Sequence, residues 1–317
     1  MDPETLISVE RVSRWYGRHL AVDEVSFSVR RGEVLGFLGP NGAGKTTTMR
    51  MLCGVLAASS GRITIAGRDL VEDPKAAKRH IGYLPEQPPL YPDLTVDQYL
   101  DYCARLRGLP RARRQAAIAN ARERCGLSEV GGRLIGNLSR GYQQRAGIAQ
   151  AIVHSPSVVI LDEPTTGLDP KQIVEIRELI TELGDDHSVI LSTHILGEVQ
   201  TTCDRVLIIN RGRLLLDRTL EAIDGDSDRR QFTIALRSPP VPEELDAATG
   251  VVSVQAVDRH RFRITFIGGD DAAAGLLEHA ARSGWGPYEL VPDAGTLEEI
   301  FLRMTSGDAP EAAGDAR

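Results

Sequence analysis

The run Gly39-Pro40-Asn41-Gly42-Ala43-Gly44-Lys45-Thr46 constrains this chain more than any other segment. It matches, at every fixed position, a glycine, four free positions, then Gly-Lys-Thr, and it lies between the apolar, strand-like Val34–Leu38 and a helix-compatible stretch beginning at Thr47. The glycines let the backbone curl so that its N–H groups face a phosphate. Lys45 adds a point charge at the β- and γ-phosphates, Thr46 offers a hydroxyl to Mg²⁺, and the helix N-terminus behind them favours anions. The loop needs a strand before it and a helix after it, which places the chain in the α/β class.

A second element completes the chemistry of such a loop. Val158-Val159-Ile160-Leu161-Asp162-Glu163 is an apolar strand ending in two carboxylates. Phosphoryl transfer needs one acid to hold Mg²⁺ and another group to orient or deprotonate the attacking water. Asp162 suits the first role and Glu163 the second.

The surroundings are those of a globular α/β protein. Over the first 220 or so residues, short β-rich runs (Val34–Leu38, Val158–Leu161, Val189–Ser192, Val206–Ile209) alternate with helical patterns, as expected of a mostly parallel sheet flanked by helices. Between about Glu86 and Ser139 the β signal fades, and Val96–Gly108 and Arg111–Cys125 read as polar, Arg-rich helices inserted into the sheet domain. Beyond Asp217 a polar stretch, Asp224–Arg230, leads to Phe232, Ile234 and Leu236 at period two. Phe262, Ile264 and Phe266 repeat the pattern, and Ala272–Arg282 and Thr296–Met304 read as helices. The expected organisation is one sheet domain over 1–220 with a helical subdomain at about 87–140, a small α+β domain over 221–305, and a disordered tail over 306–317 rich in Ala, Gly, Asp and Glu.

Composition then excludes several classes. A net charge of -7 argues against a broad nucleic-acid footprint. Cys53, Cys103, Cys125 and Cys203 are widely spaced, with no CxxC pair, and read as reduced structural residues. No stretch approaches the roughly 18 to 20 apolar residues that cross a bilayer. The N-terminus opens with Asp2 and Glu4 and lacks the basic-then-apolar order of a secretory signal, so a cytoplasmic protein is the simplest reading.

Over roughly Leu6 to Asp217 the sequence resembles the nucleotide-binding domains of ATP-binding-cassette (ABC) transporters. The discriminating piece is Leu138-Ser139-Arg140-Gly141-Tyr142-Gln143-Gln144-Arg145, which is similar to that family's signature motif, usually LSGGQ, with Arg140 in place of the first Gly and Tyr142 in place of the Gln. Physically it is a turn feeding a helix, whose Ser hydroxyl and free N–H groups can meet a phosphate. The resemblance implies that Ser139, Arg140 and Gly141 contact the ATP held by the phosphate loop of an opposite subunit, Gly39 to Thr47, in a head-to-tail dimer. It further implies a D-loop at Leu168-Asp169, a switch histidine at His194 that positions Glu163 and water, and an adenine-stacking aromatic at Tyr16, next to Trp15. The family's Mg²⁺-sensing Gln falls in Gly82-Tyr-Leu-Pro-Glu86-Gln87, where either Glu86 or Gln87 could serve.

Within the family, the GYLPE run, the LSRGY form of the signature and Thr296-Leu-Glu-Glu-Ile-Phe301 resemble the ATPase subunits of ABC-2-type exporters, the multidrug and gliding-motility branch. That resemblance implies ATP and Mg²⁺ as cofactors, a second ATPase subunit (a homodimer), a separate polytopic permease of ABC-2 type, and a place on the cytoplasmic face of the cell membrane. Two alternatives stay open: an importer ATPase, and a non-transport ABC ATPase acting on ribosomes or nucleic acid. A P-loop kinase or GTPase would keep Lys45 and Asp162 but has no use for Ser139 and His194 at these spacings.

Overall fold

The computed structural model describes residues 5–225, 229–240, 244–245, 250–267, 269–293 and 297–305, and the expected tail at 306–317 lies outside them. The chain divides into two compact units, Met1–Thr219 and Leu220–Arg317.

The first unit is built on a six-stranded sheet in the order β10-β9-β3-β8-β7-β6. Its members are β3 (Val34–Leu38), β6 (Ile81–Leu84), β7 (Val158–Asp162), β8 (Ser188–Thr193), β9 (Arg205–Asn210) and β10 (Arg213–Thr219). Every pairing is parallel except that of β10 with β9, which is antiparallel. β3, β7 and β8 are buried along their whole length, which is why they read as continuous apolar runs rather than alternating ones.

A second sheet was not expected. β1 (Thr5–Tyr16), β2 (His19–Arg30), β4 (Ser60–Ile65) and β5 (Arg68–Asp69) form an antiparallel sheet in the order β2-β1-β4-β5. The mostly parallel sheet that the sequence predicts is the six-stranded one, and this antiparallel sheet is added to it. The cause of the difference is local. Repeated register shifts break the pairing of β1 with β2, and Arg11 and Glu24 adopt left-handed φ values of 44° and 46°, so the period-two alternation is interrupted. The two sheets share one core: Ile7, Val9, Val25 and Phe27 from the antiparallel sheet meet Leu35, Phe37, Ile160 and Leu207 from the parallel one. Helix α1 (Lys45–Leu52) contributes the fully buried Met49 and Leu52 to the same core.

Between β6 and β7 the chain is helical: α3 (Val96–Leu106), α4 (Arg111–Arg124), two single 3-10 turns, and α5 (Arg140–Ile152). α3 opens with a reciprocal capping box between Thr95 and Gln98 and buries Tyr99, Leu100 and Cys103 on one face. A short helix, α2 (Pro74–Arg79), precedes β6. α6 (Pro170–Gly184) and α7 (Leu196–Thr202) flank β8. Cys53, Cys103, Cys125 and Cys203 are all free and buried.

The second unit has a four-stranded antiparallel sheet, β12-β13-β11-β14, from β11 (Arg229–Leu236), β12 (Val251–Ala256), β13 (Arg261–Ile267) and β14 (Pro287–Asp293). Helix Gly269–Arg282 contributes Leu276 and Ala280 to a core with Phe232, Ile234, Phe262 and Ile264, so the period-two residues share one face. A last helix spans Leu297–Thr305. Among the described residues, no helix is long and apolar enough to cross a membrane.

Candidate active site

The site sits at the carboxyl ends of β3, β7 and β8, where an open α/β sheet ordinarily binds its ligand. The loop after β3 is closely fitted. A Cβ on Gly39 would fall 2.4 Å from the Ile209 carbonyl oxygen, and one on Gly44, which adopts φ 109°, would fall 2.7 Å from the Ala21 carbonyl oxygen, so only glycine fits either position. α1 starts at Lys45 without a side-chain cap, leaving its first-turn N–H groups for an anion.

Lys45 is 6% exposed. Its Nζ donates to the Gly39 carbonyl at 2.8 Å and the Pro40 carbonyl at 3.3 Å, and it lies 3.2 Å from Glu163 Oε1. The loop lysine and the second carboxylate are thus paired, and an arriving γ-phosphate would compete with Glu163 for the ammonium.

Asp162 ends β7 with no exposure. Its Oδ1 accepts from Ser192 at 2.8 Å and from Thr46 at 3.4 Å, while its buried Oδ2 has no partner. Burial pushes the Asp162 carboxyl above its usual range. The Ser192 and Thr46 hydroxyls oppose that shift, and the neighbouring Glu163 and Glu86 charges add to it. A carboxylate oxygen left unpaired next to a Thr hydroxyl suits a Mg²⁺ ion, and Thr46 and Asp162 are the residues that fit it.

Glu163 follows at φ 49°, a left-handed conformation that turns its side chain out of the strand, and its N–H is held by the Ser192 carbonyl at 2.9 Å. Its Oε2 lies 2.8 Å from His194 Nδ1, which donates when it carries the proton. His194 is 44% exposed on its side chain and faces the cleft. Glu163 therefore joins the loop lysine through one oxygen and the histidine through the other.

A cleft of about 510 Å³ joins these groups, lined among others by Tyr16, Asn41, Gly42, Gly44, Thr46 and Thr47. Glu86 lines it; Gln87 lines a neighbouring cleft together with Arg140. Tyr16, not Trp15, borders the cleft, with the Arg14 guanidinium 5.0 Å over its ring. Pro40 contributes its carbonyl to Lys45, and Ala43 is buried under the loop.

The remaining candidates lie apart from this cleft. Ser139 caps α5, accepting from the Tyr142 N–H at 3.4 Å, and both it and Arg140 are exposed. Arg140 Nη1 lies 3.5 Å from the Gly167 carbonyl, and Gly141 packs against the Gln172 side chain. Asp169 caps α6 through the Gln172 N–H at 2.9 Å.

Sequence reasoning missed Ser192 on Asp162 and the cleft-lining His19 and Thr166. The hydroxyl-rich Ser192-Thr193 immediately before His194 was the available signal for the first of these. His19 opens β2, just after the exposed two-residue turn that joins it to β1, and the sequence had revealed neither strand.

The sequence pattern of the family described as "ABC transporter" matches residues 22–166. The chain is 38% identical to the Bacillus subtilis protein named "Uncharacterized ABC transporter ATP-binding protein YxlF" over 304 residues, which cover 94% of this chain and 99% of that one. The chain belongs to the ABC transporter ATP-binding family. This ABC protein is also 36% identical to the "Linearmycin resistance ATP-binding protein LnrL" of Bacillus subtilis, over 95% of its own length and 98% of that relative's. The solved "Structure of ATP binding subunit of ABC transporter" superposes with a TM-score of 0.63 at 32% identity, covering 70% of this chain and 92% of that one. The fold is the P-loop ABC ATPase fold, and the chain is an ATP-binding, ATP-hydrolysing member of the family.

Proposed function

We propose that this ABC ATPase drives a separate polytopic permease of ABC-2 type in export, working as a pair of identical subunits on the cytoplasmic face of the cell membrane. The cassette comprises 1–220 with its helical insertion at about 87–140, and 221–305 is an accessory domain. The observation that carries the reading is the convergence of Lys45, Glu163 and His194 on one cleft, with the buried Asp162 joined to it through Thr46, while Ser139 stands exposed outside it. Export draws support from relatives named for resistance to linearmycin and daunorubicin, whose likeness to this chain runs over nearly the whole length, the accessory domain included.

The residues divide the work as follows. Gly39 to Thr47 wrap the phosphates with backbone N–H groups, and Tyr16 borders the end of the cleft that takes the base. When ATP enters, Lys45 exchanges Glu163 for the β- and γ-phosphates, which frees one Glu163 oxygen for water. Thr46 and Asp162, with Glu86 or Gln87, would hold a Mg²⁺ ion, which when bound would supply positive charge to the transferring phosphoryl group. Glu163 takes the proton of the attacking water, oriented by His194. Ser139, Arg140 and Gly141 of one copy cover the γ-phosphate in the other copy's cleft, with Asp169 at the seam. Closure and reopening of the pair move the helical insertion and, through it, the permease.

The test is to trap the Glu163→Gln chain with ATP in native membranes and identify what co-purifies. An equimolar polytopic membrane protein supports the reading. Ribosomal or other purely soluble partners would keep the ATPase chemistry and reject transport.

A further inference from the structure

Glu198 has no role in the chemistry above, yet among the described residues of the first unit it is, with Asp162, the most thoroughly enclosed acid. It lies on α7, its exposure is 0%, and both carboxylate oxygens are engaged. Oε1 accepts a short hydrogen bond from Thr165 Oγ1, and Oε2 accepts from Thr193 Oγ1 at 2.6 Å. Arg177 Nη2, from α6, stands 3.9 Å from Oε1. A carboxylate taken so completely out of water is held only if its acceptors are satisfied, and two buried hydroxyls and one guanidinium do that here.

The two hydroxyls belong to the two segments that carry the reacting groups. Thr165 is two residues beyond Glu163, in a turn closed by Thr166 N–H to the Glu163 carbonyl at 3.2 Å and Leu168 N–H to the Thr165 carbonyl at 3.2 Å. Thr193 immediately precedes His194, and its Oγ1 also accepts from the Ile195 N–H at 3.0 Å, bracketing the histidine on both sides. Its own carbonyl accepts from the Gly39 N–H at the start of the phosphate loop, at 3.4 Å. One buried side chain therefore ties the turn after Glu163 to the turn that bears His194.

We infer that Glu198 is a positioning residue that fixes the Glu163–His194 distance by fastening Thr165 and Thr193 to a single buried carboxylate. The inference rests on the proposed roles of Glu163 and His194. It gives α7 a task in turnover: an element that touches neither phosphate nor water sets the alignment of the two groups that do. A carboxylate suits this better than an amide because both hydroxyls donate to it at once, whereas a Gln offers one acceptor oxygen and must present its NH₂ to the other Thr.

The experiment uses the full chain and measures ATP hydrolysis and ATP binding for Thr165→Val, Thr193→Val, the double Val variant, Thr165→Ser, Thr193→Ser and Glu198→Gln. Glu163→Gln and His194→Ala serve as references. Each single Val change is expected to lower kcat about tenfold, because small misplacement of reacting groups is costly, with KM for ATP held within about twofold. The Ser variants, which keep the hydroxyl, are expected to retain near-full turnover. The double Val variant and Glu198→Gln are expected to lose similar amounts, less than the product of the single losses. Thermal unfolding of each variant separates this from simple loss of folded protein. Unchanged kcat in both folded Val variants, or no rescue by Ser, overturns the inference while leaving Glu163 and His194 in place. Unchanged turnover in the two reference variants overturns the underlying reading instead.

Discussion

The cleft at Lys45 and the start of α5 at Ser139 are both strand- or turn-to-helix junctions with helix N-termini turned toward solvent, but they are built in opposite ways. The first is closed on itself: Lys45 is buried against Glu163, Asp162 is held by Ser192 and Thr46, and His194 completes the chain of contacts. The second is open, with Ser139 exposed and holding only the Tyr142 N–H of its own helix, and none of Ser139, Arg140 or Gly141 lines the phosphate cleft. On the proposed reading, the difference makes one end a finished catalytic half and the other a surface that meets a phosphate held by a second copy.

The largest expected effect separates chemistry from binding. Glu163→Gln should lower kcat by about 10²- to 10⁴-fold, the range for removing a general base, while ATP affinity holds or tightens because Lys45 no longer has a carboxylate to leave. Steady-state hydrolysis together with nucleotide titration checks both parts. Lys45→Ala attacks the closed half alone, and should weaken ATP binding about 10- to 100-fold, the range for a lost hydrogen bond to a charged group. Ser139→Ala attacks the open half alone. It should leave binding of ATP to the isolated chain unchanged and reduce turnover about tenfold by the same reasoning, and weaker binding by the isolated chain would break the comparison.

The smallest effect concerns stability and pH. Burial raises the Asp162 carboxyl, so its ionised form opposes folding at every pH above that raised value, and the cost disappears below the ordinary carboxylate range. Asp162→Asn, which keeps the shape and removes the buried charge, should therefore raise the melting temperature of the Mg²⁺- and nucleotide-free chain at neutral pH. The gain should shrink as pH falls through the raised pKa, and a melting series across pH checks it.

What the sequence disclosed and what it hid follow one physical division. Gly39 to Thr46 is legible because its residue types recur at fixed spacing within eight positions, even though the carbonyls that exclude a Cβ at Gly39 and Gly44 belong to the distant Ile209 and Ala21. The central strands are legible because burial on both faces writes continuous apolar runs. β1 and β2 are not, because bulges at Arg11 and Glu24 scramble the alternation that marks a strand. Choices between neighbours were likewise beyond the sequence. Glu86 against Gln87, and Tyr16 against Trp15, differ only in which side chain the backbone turns toward the cleft. The link from Glu198 to Thr165 spans 33 residues, and only folding brings the two together.

The central claim, that two copies complete each other's sites, is tested most directly by the mass of the Glu163→Gln chain in solution, measured by sedimentation with and without saturating ATP. The account predicts a monomer that becomes a dimer with ATP, and a monomer throughout when Ser139→Ala is added. A Glu163→Gln chain that binds ATP yet stays monomeric, or a dimer indifferent to both ATP and Ser139, would contradict it.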